Sequence, residues 1–332
     1  MDSEGFRKYL KGRELPDETV EASIAIVGEF EQFLVVKRGG RNIAAAGVED
    51  ADAFIVDMIS RGVNTHENFA ALLRYGYFIK NNDLYISFLE PIDGGNVLEV
   101  LHEKLGEQVG KGLRDEVFEG IDLPPLGTRP SDKPKFAQAV MERMESMIDP
   151  DTCEKTLVDV AHGLPKQFYD SGQRDKFLAA KDLDKYLEQE RADFIAMLEK
   201  HRDEGTPFFN QEITDEVVQW IRDNPGIGAE KREGEYIVHT KIPFLAKDYL
   251  TATDERMKRY YACHCGWARE SIKSGDEVSA TFCNCSAGFT VKPWEIAFDQ
   301  PLQVEMLESV LQGDLRCTFR IPIPKEIMEG LD

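Results

Sequence analysis

The sequence predicts an α+β protein: a mostly helical N-terminal region followed by a C-terminal domain of antiparallel strands with packed helices. Three observations carry this. Apolar residues recur at helical spacing from the N-terminus to Ile221. From residue 229 the period changes to two. Between them lies "DLPPLGTRPSDKPK" at 122–135, whose prolines and sparse apolar content deny it regular structure. That break divides the chain into a helical domain over 1–125 and an α+β domain over 136–332 that carries the cysteines. At 332 residues and 42% hydrophobic content the chain is long enough to bury a sizeable core in each.

"VEASIAIVGEFEQFLVVKRGG" holds apolar residues through several turns and stops at Gly39-Gly40, a C-terminal signal. "VEDADAFIVDMISRG" and "NTHENFAALLRYGYFIKNN" repeat the form, with Asn64 placed three residues before Glu67 as an N-cap. "VLEVLHEKLGEQVGKGL" follows the turn "DGGN" as a further helix. Beyond the break, "KFAQAVMERMESMI" and "LDKYLEQERADFIAMLEKH" have helical spacing. "ITDEVVQWIRDNPG" puts Ile213, Val217 and Ile221 on one stripe before Asn224-Pro225-Gly226 ends it. "EKREGEYIVHTKIPF" is expected to be a hairpin around Gly234, and "MKRYYACHC" and "SATFCNC" to be strands. "LQVEMLESV" and "LRCTFRIPI" are expected to pair across a tight turn at "LQGD".

The formal charge of −21, from 61 acidic against 40 basic residues, repels phosphate backbones and anionic membrane surfaces, so neither nucleic acid nor a membrane is an expected partner. The first thirty residues lack a signal-peptide apolar run and no stretch has the length of a membrane span, which places the chain in the cytoplasm. The expected partner is a small-molecule ligand or substrate, with a homodimer left open.

Five of the six cysteines fall in the last quarter, as Cys263-X-Cys265, Cys283-X-Cys285 and Cys317. In a reducing compartment such thiols serve as ligands, nucleophiles or redox sensors more readily than as staples. On a strand, each Cys-X-Cys pair aims two sulfurs at one side, which suits tetrahedral zinc. "CSAGFTVKPWEIAF" is expected to lead a strand into a helix, with Ser286 a cap. A helix start lowers a thiol's pKa, so Cys285 is the nucleophile candidate, with His264, His239 or Glu305 as its proton partner. Buried cysteines also pack well as small hydrophobes, the preferred account of Cys153. His66, His102, His162 and His201 lack ligand spacing and are assigned to surface or core. Gly226 and Gly228 belong to no phosphate loop.

The stretch "CNCSAGFTVKPWEIAFDQPLQVEMLESVLQGDLRCTFRI" at 283–321 resembles the C-terminal part of 4-vinyl-reductase-type domains and of L-2-amino-thiazoline-4-carboxylate hydrolase-like proteins. The resemblance implies a zinc site using Cys283 or Cys285 with Glu305 and Cys317. Ser309 stands where a further cysteine is usual, so Cys263 or Cys265 would have to complete the set. It also implies one of two functions. The first is a soluble, sensor-like small-molecule-binding protein, with Trp267, Phe289 and Trp294 among the aromatic residues lining its pocket. The second is a thiol-dependent hydrolase of a small cyclic amidine or amide, with Cys285 as nucleophile and His264 as base.

Overall fold

A computed structural model describes residues 1–170, 172–180 and 182–329. The chain divides into two compact units, one of residues 1–95 with 124–129, the other of 96–123 with 130–332.

The first unit is helical: Ser3–Lys11, Asp17–Lys37, Val48–Arg61, His66–Phe78 and Asn82–Leu89. The long second helix stops at Lys37, followed by Gly39 and Gly40 with φ of 70° and 78°, as the Gly pair predicts. The fourth helix begins one residue later than expected. Thr65 caps it, accepting from the Asn68 N–H at 3.3 Å, while the Asn64 amide donates instead to the Leu126 carbonyl at 2.8 Å. Apolar faces converge on Phe6, Phe30, Phe54, Phe69, Leu72 and Phe88, all nearly inaccessible.

One charge is buried in this unit. Asp50 has no exposed surface and accepts from Arg38 Nε at 2.7 Å, Arg41 Nη1 at 2.5 Å and the Gly47 N–H at 3.1 Å. Burial alone would raise its carboxyl pKa; these three donors outweigh burial and hold it below the usual value. Asp50→Ala is expected to cost about 2–3 kcal/mol, because it leaves charged donors without their acceptor. The check is the denaturant midpoint at unchanged m-value; a loss below about 0.5 kcal/mol would mean that water satisfies both arginines.

The second unit combines helices with a four-stranded antiparallel sheet. Its strands are β1 (Lys231–Glu233), β2 (Tyr236–Thr240), β3 (Glu305–Glu308) and β4 (Thr318–Pro322), in the order β1-β2-β4-β3. This agrees with the α+β class read from the sequence. The β1-β2 hairpin turns at Gly234, whose φ of 61° suits a two-residue loop. The Asp215–Asp223 helix buries Val217 and Ile221 and is capped by Thr214.

Three expectations are corrected. "MKRYYACHC" is not a strand: Asp254 accepts from the Met257 N–H at 2.8 Å and starts the helix Glu255–Ala262. "SATFCNC" is not a strand either, but a 3₁₀ turn, Ala280–Cys283, running directly into the helix Asn284–Phe298. The β3-β4 connection is not a tight turn. It spans residues 309–317, folded on Ser309, whose carbonyl accepts from the Gln312 and Asp314 N–H groups at 2.9 and 3.1 Å. A bulge does occur, but between Met306 and Glu308 rather than at Gly313.

The Asn284–Phe298 helix lies against the helix Pro150–Val160 at very short range. A Cβ added at Gly288 would sit 2.0 Å from the Val158 carbonyl oxygen. Among the described residues, no helix is long and apolar enough to cross a membrane.

Candidate active site

Four pieces of chain meet at the start of the Asn284–Phe298 helix. The helix supplies Cys285, Ser286 and Phe289 in its first turns. Lys241 follows β2 and is held by its own N–H, which donates to the Cys317 carbonyl at 3.0 Å. His162 comes from the turn after the Pro150–Val160 helix, and His264 from the loop after Glu255–Ala262.

The centre of the group is Ser286. Lys241 Nζ donates to its Oγ at 2.5 Å, and His162 Nε2 lies 3.3 Å from the same oxygen. Lys241 is 8% exposed, and its ammonium also lies 5.0 Å from the Phe289 ring centroid. Burial, with the Lys241 charge adding to it, holds His162 well below the usual histidine pKa. A neutral imidazole has one nitrogen free to accept: in the tautomer protonated at Nδ1, Ser286 accepts from Lys241 and donates its proton to His162 Nε2, and in the other tautomer Ser286 accepts from both.

His162 reaches this position at a conformational cost. Ala161, His162 and Gly163 have φ of 44°, 60° and 71°, three successive residues in left-handed geometry. Two of them carry a Cβ, and such residues cost of order 1–3 kcal/mol each unless their surroundings impose them. The surroundings do. The His162 N–H donates to Cys285 Sγ at 3.1 Å, Tyr169 Oη donates to the Ala161 carbonyl, and the Asn96 amide donates to the Gly163 carbonyl at 3.2 Å.

The expected residues are placed as follows. Cys285 is the second residue of its helix, yet burial outweighs the helix dipole and pushes its thiol up to about 12. At neutral pH it is a protonated hydrogen-bond acceptor for His162, not a thiolate. His264 donates from Nε2 to the Ile242 carbonyl at 2.5 Å; burial first, then Lys241, drops its pKa to about 3. His239 lies 3.3 Å from the Glu230 carboxylate. Burial raises the pKa of Cys263, Cys265, Cys283 and Cys317, and Cys265 and Cys317 lie close enough to Cys263 and Cys283 to raise those two further. Cys283 Sγ accepts from Ser309 Oγ at 3.1 Å, so Ser309 supports the thiol rather than replacing one.

The zinc reading is corrected. All six cysteines are free thiols, and among the described residues no group of three or more His, Cys, Asp or Glu is arranged to hold a metal ion. The Cys-X-Cys pairs do not lie on strands, which removes the pincer geometry expected of Cys263, Cys265, Cys283 and Cys285. Glu305 sits exposed on β3 and pairs with Arg320 at 2.6 Å. The bulge and the long connection separate it from Cys317.

Of the aromatic residues, Phe289 is at the site, with the His162 and Tyr169 rings 4.9 and 5.6 Å from its own. Trp267 packs in the core beneath Lys133, and Trp294 in the core with Tyr186 and Phe298. Sequence reasoning passed over His162 and Lys241, and took Ser286 for a cap. The available signal was the pair of helices ending at "VAHG" and beginning at "CSAGF", whose small residues permit close approach.

Buried Lys241 and half-buried Ser286 and His162 thus meet at one oxygen at the start of a helix in an α+β chain. No known protein family matches this chain, and no curated protein or solved structure matches it. The case for function therefore rests on these residues.

Proposed function

We propose that this protein is a hydrolase of a small amide or ester, with Ser286 as nucleophile. The observation that carries this is the Ser286 hydroxyl held between the Lys241 ammonium and the neutral His162 imidazole. In this reaction Ser286 Oγ bonds to the electrophilic carbon while its proton passes to His162 Nε2. The tetrahedral oxyanion forms beside the Lys241 ammonium. His162 then returns the proton to the leaving nitrogen or oxygen as the C–N or C–O bond breaks. Water, deprotonated by the same imidazole, releases the acyl group.

The test is acylation by 4-nitrophenyl acetate. One acetyl group per chain is expected, mapped by mass spectrometry to Ser286. Ser286→Ala is expected to lower the release rate by roughly a hundredfold or more, and Cys285→Ser to retain it. Acetylation confined to Cys285, or an unchanged rate in Ser286→Ala, would sink the proposal.

A second reading, small-molecule binding without turnover, is favoured by a cleft of about 1010 Å³ bordering the same strained turn, lined in part by Ala161, Gly163, Tyr169, Lys292 and Glu295. It predicts saturable ligand binding with no acyl-enzyme.

A further inference from the structure

On another side of Lys241 lies a smaller cavity of about 290 Å³, lined by Trp220, Asn224, Tyr249, Lys258 and Arg316 among others. No Asp or Glu is among its lining residues, although the chain as a whole carries a formal −21. A concave, cation-lined wall in an acidic protein focuses positive potential where the rest of the surface opposes it.

The cations there differ in how far they are already committed. Lys241 gives its ammonium to Ser286. Arg316 places Nε and Nη2 on the Glu308 carboxylate at 2.8 and 3.4 Å, leaving Nη1 unused by that pair. Lys258 makes no ion pair among the described residues, and its ammonium lies 5.7 Å from the Tyr249 ring centroid. The Trp220 and Tyr249 rings, 5.9 Å apart and tilted by 46°, form an aromatic wall. Asn224 anchors its amide on the Trp220 carbonyl at 2.8 Å, which leaves its side-chain oxygen and second N–H for other contacts. The volume is too small for a macromolecular segment and fits a compact ligand.

We propose that this cavity binds a small oxyanion, a carboxylate or phosphate on a compact body, with Lys258 and Arg316 as its counter-charges and the Trp220–Tyr249 wall against its apolar part. It is independent of the chemistry assigned to Ser286.

The experiment follows the Trp220 indole N–H resonance, assigned by Trp220→Phe, during titration with inorganic phosphate and with benzoate, each against sodium chloride at matched ionic strength. A saturable shift with either anion is expected. Phosphate alone would assign the head group as phosphate, benzoate alone as an aromatic carboxylate, and both would mean that the charge is recognised without discrimination. Lys258→Met should weaken binding roughly tenfold, the loss of one charge-assisted contact, and Lys258→Arg should restore it to within roughly threefold. Anion binding is read without turnover, so absence of acylation at Ser286 together with a saturable shift would leave this proposal standing while the hydrolase proposal fails. No shift beyond that of chloride, or unaltered affinity in a folded Lys258→Met, overturns the proposal.

Discussion

Gly288→Ala is expected to destabilise the second unit by more than about 4 kcal/mol, well beyond an ordinary substitution. Helix propensity alone points the other way, since alanine is favoured over glycine inside a helix by roughly 1 kcal/mol. The contact decides the sign. A Cβ at Gly288 would lie 2.0 Å from the Val158 carbonyl oxygen and 2.8 Å from its carbon. Both are backbone atoms of a packed helix, so no side-chain rotation relieves the overlap, and the two helices must separate. Gly112 is the opposite case, in the helix Lys111–Phe118 with nothing within 4 Å of an added Cβ. Gly112→Ala is expected to be neutral or to stabilise by up to about 1 kcal/mol. Denaturant unfolding of both variants checks this; a Gly288→Ala protein melting within about 2 °C of the parent would show the close approach to be absent. The functional consequence follows from position. Gly288 is two residues after Ser286 and Val158 four before His162, so the approach of the helices sets the separation of hydroxyl and imidazole.

Acidification from pH 7 to pH 5 is the second large effect. Burial holds His264 at about 3 and His162 well below its usual value, so both are neutral in the folded state and take up protons on unfolding near 6.5. The unfolded chain binds more protons below that point, so stability is present above pH 6.5 and falls as the pH drops through it. Each group then loses about 1.4 kcal/mol per pH unit, which for His264 amounts to about 2 kcal/mol at pH 5, with His162 acting in the same direction. Urea unfolding at the two pH values measures the sum. His264→Gln keeps a side-chain N–H for the Ile242 carbonyl but cannot titrate, and should remove about 2 kcal/mol of the pH-dependent loss. A pH dependence identical to the parent's would mean that His264 is not buried neutral.

The helical first unit was legible because its signals are local. Apolar spacing and the Gly39-Gly40 stop act within a few turns of the chain, and the cap of the fourth helix differs by one residue, at Thr65; in the second unit the stripe of Val217 and Ile221 was legible likewise, whereas "VLEVLHEKLGEQVGKGL" breaks at Gly110 into two helices. The Gly234 hairpin was legible for the same reason. The Cys-X-Cys segments were not, because "MKRYYACHC" and "SATFCNC" are short aromatic and thiol-rich runs whose alternation also fits a helix edge. Asp254 as a cap makes the first a helix as far as Ala262, with Cys263 and Cys265 in the loop beyond it, and the packing of Gly288 on Val158 holds the second at a helix start.

By itself, the sequence determined the α+β class, the acidic surface, and the concentration of five cysteines in one region that folds together. Tertiary structure decided what those cysteines are: buried or half-buried protonated thiols, with desolvation exceeding the helix dipole that favoured Cys285 as a thiolate. It also decided the site. His162, Lys241 and Ser286 are separated by scores of residues and carry no shared spacing. They meet because a strained turn, a strand end and a helix start are brought together by long-range packing, which a linear pattern does not encode.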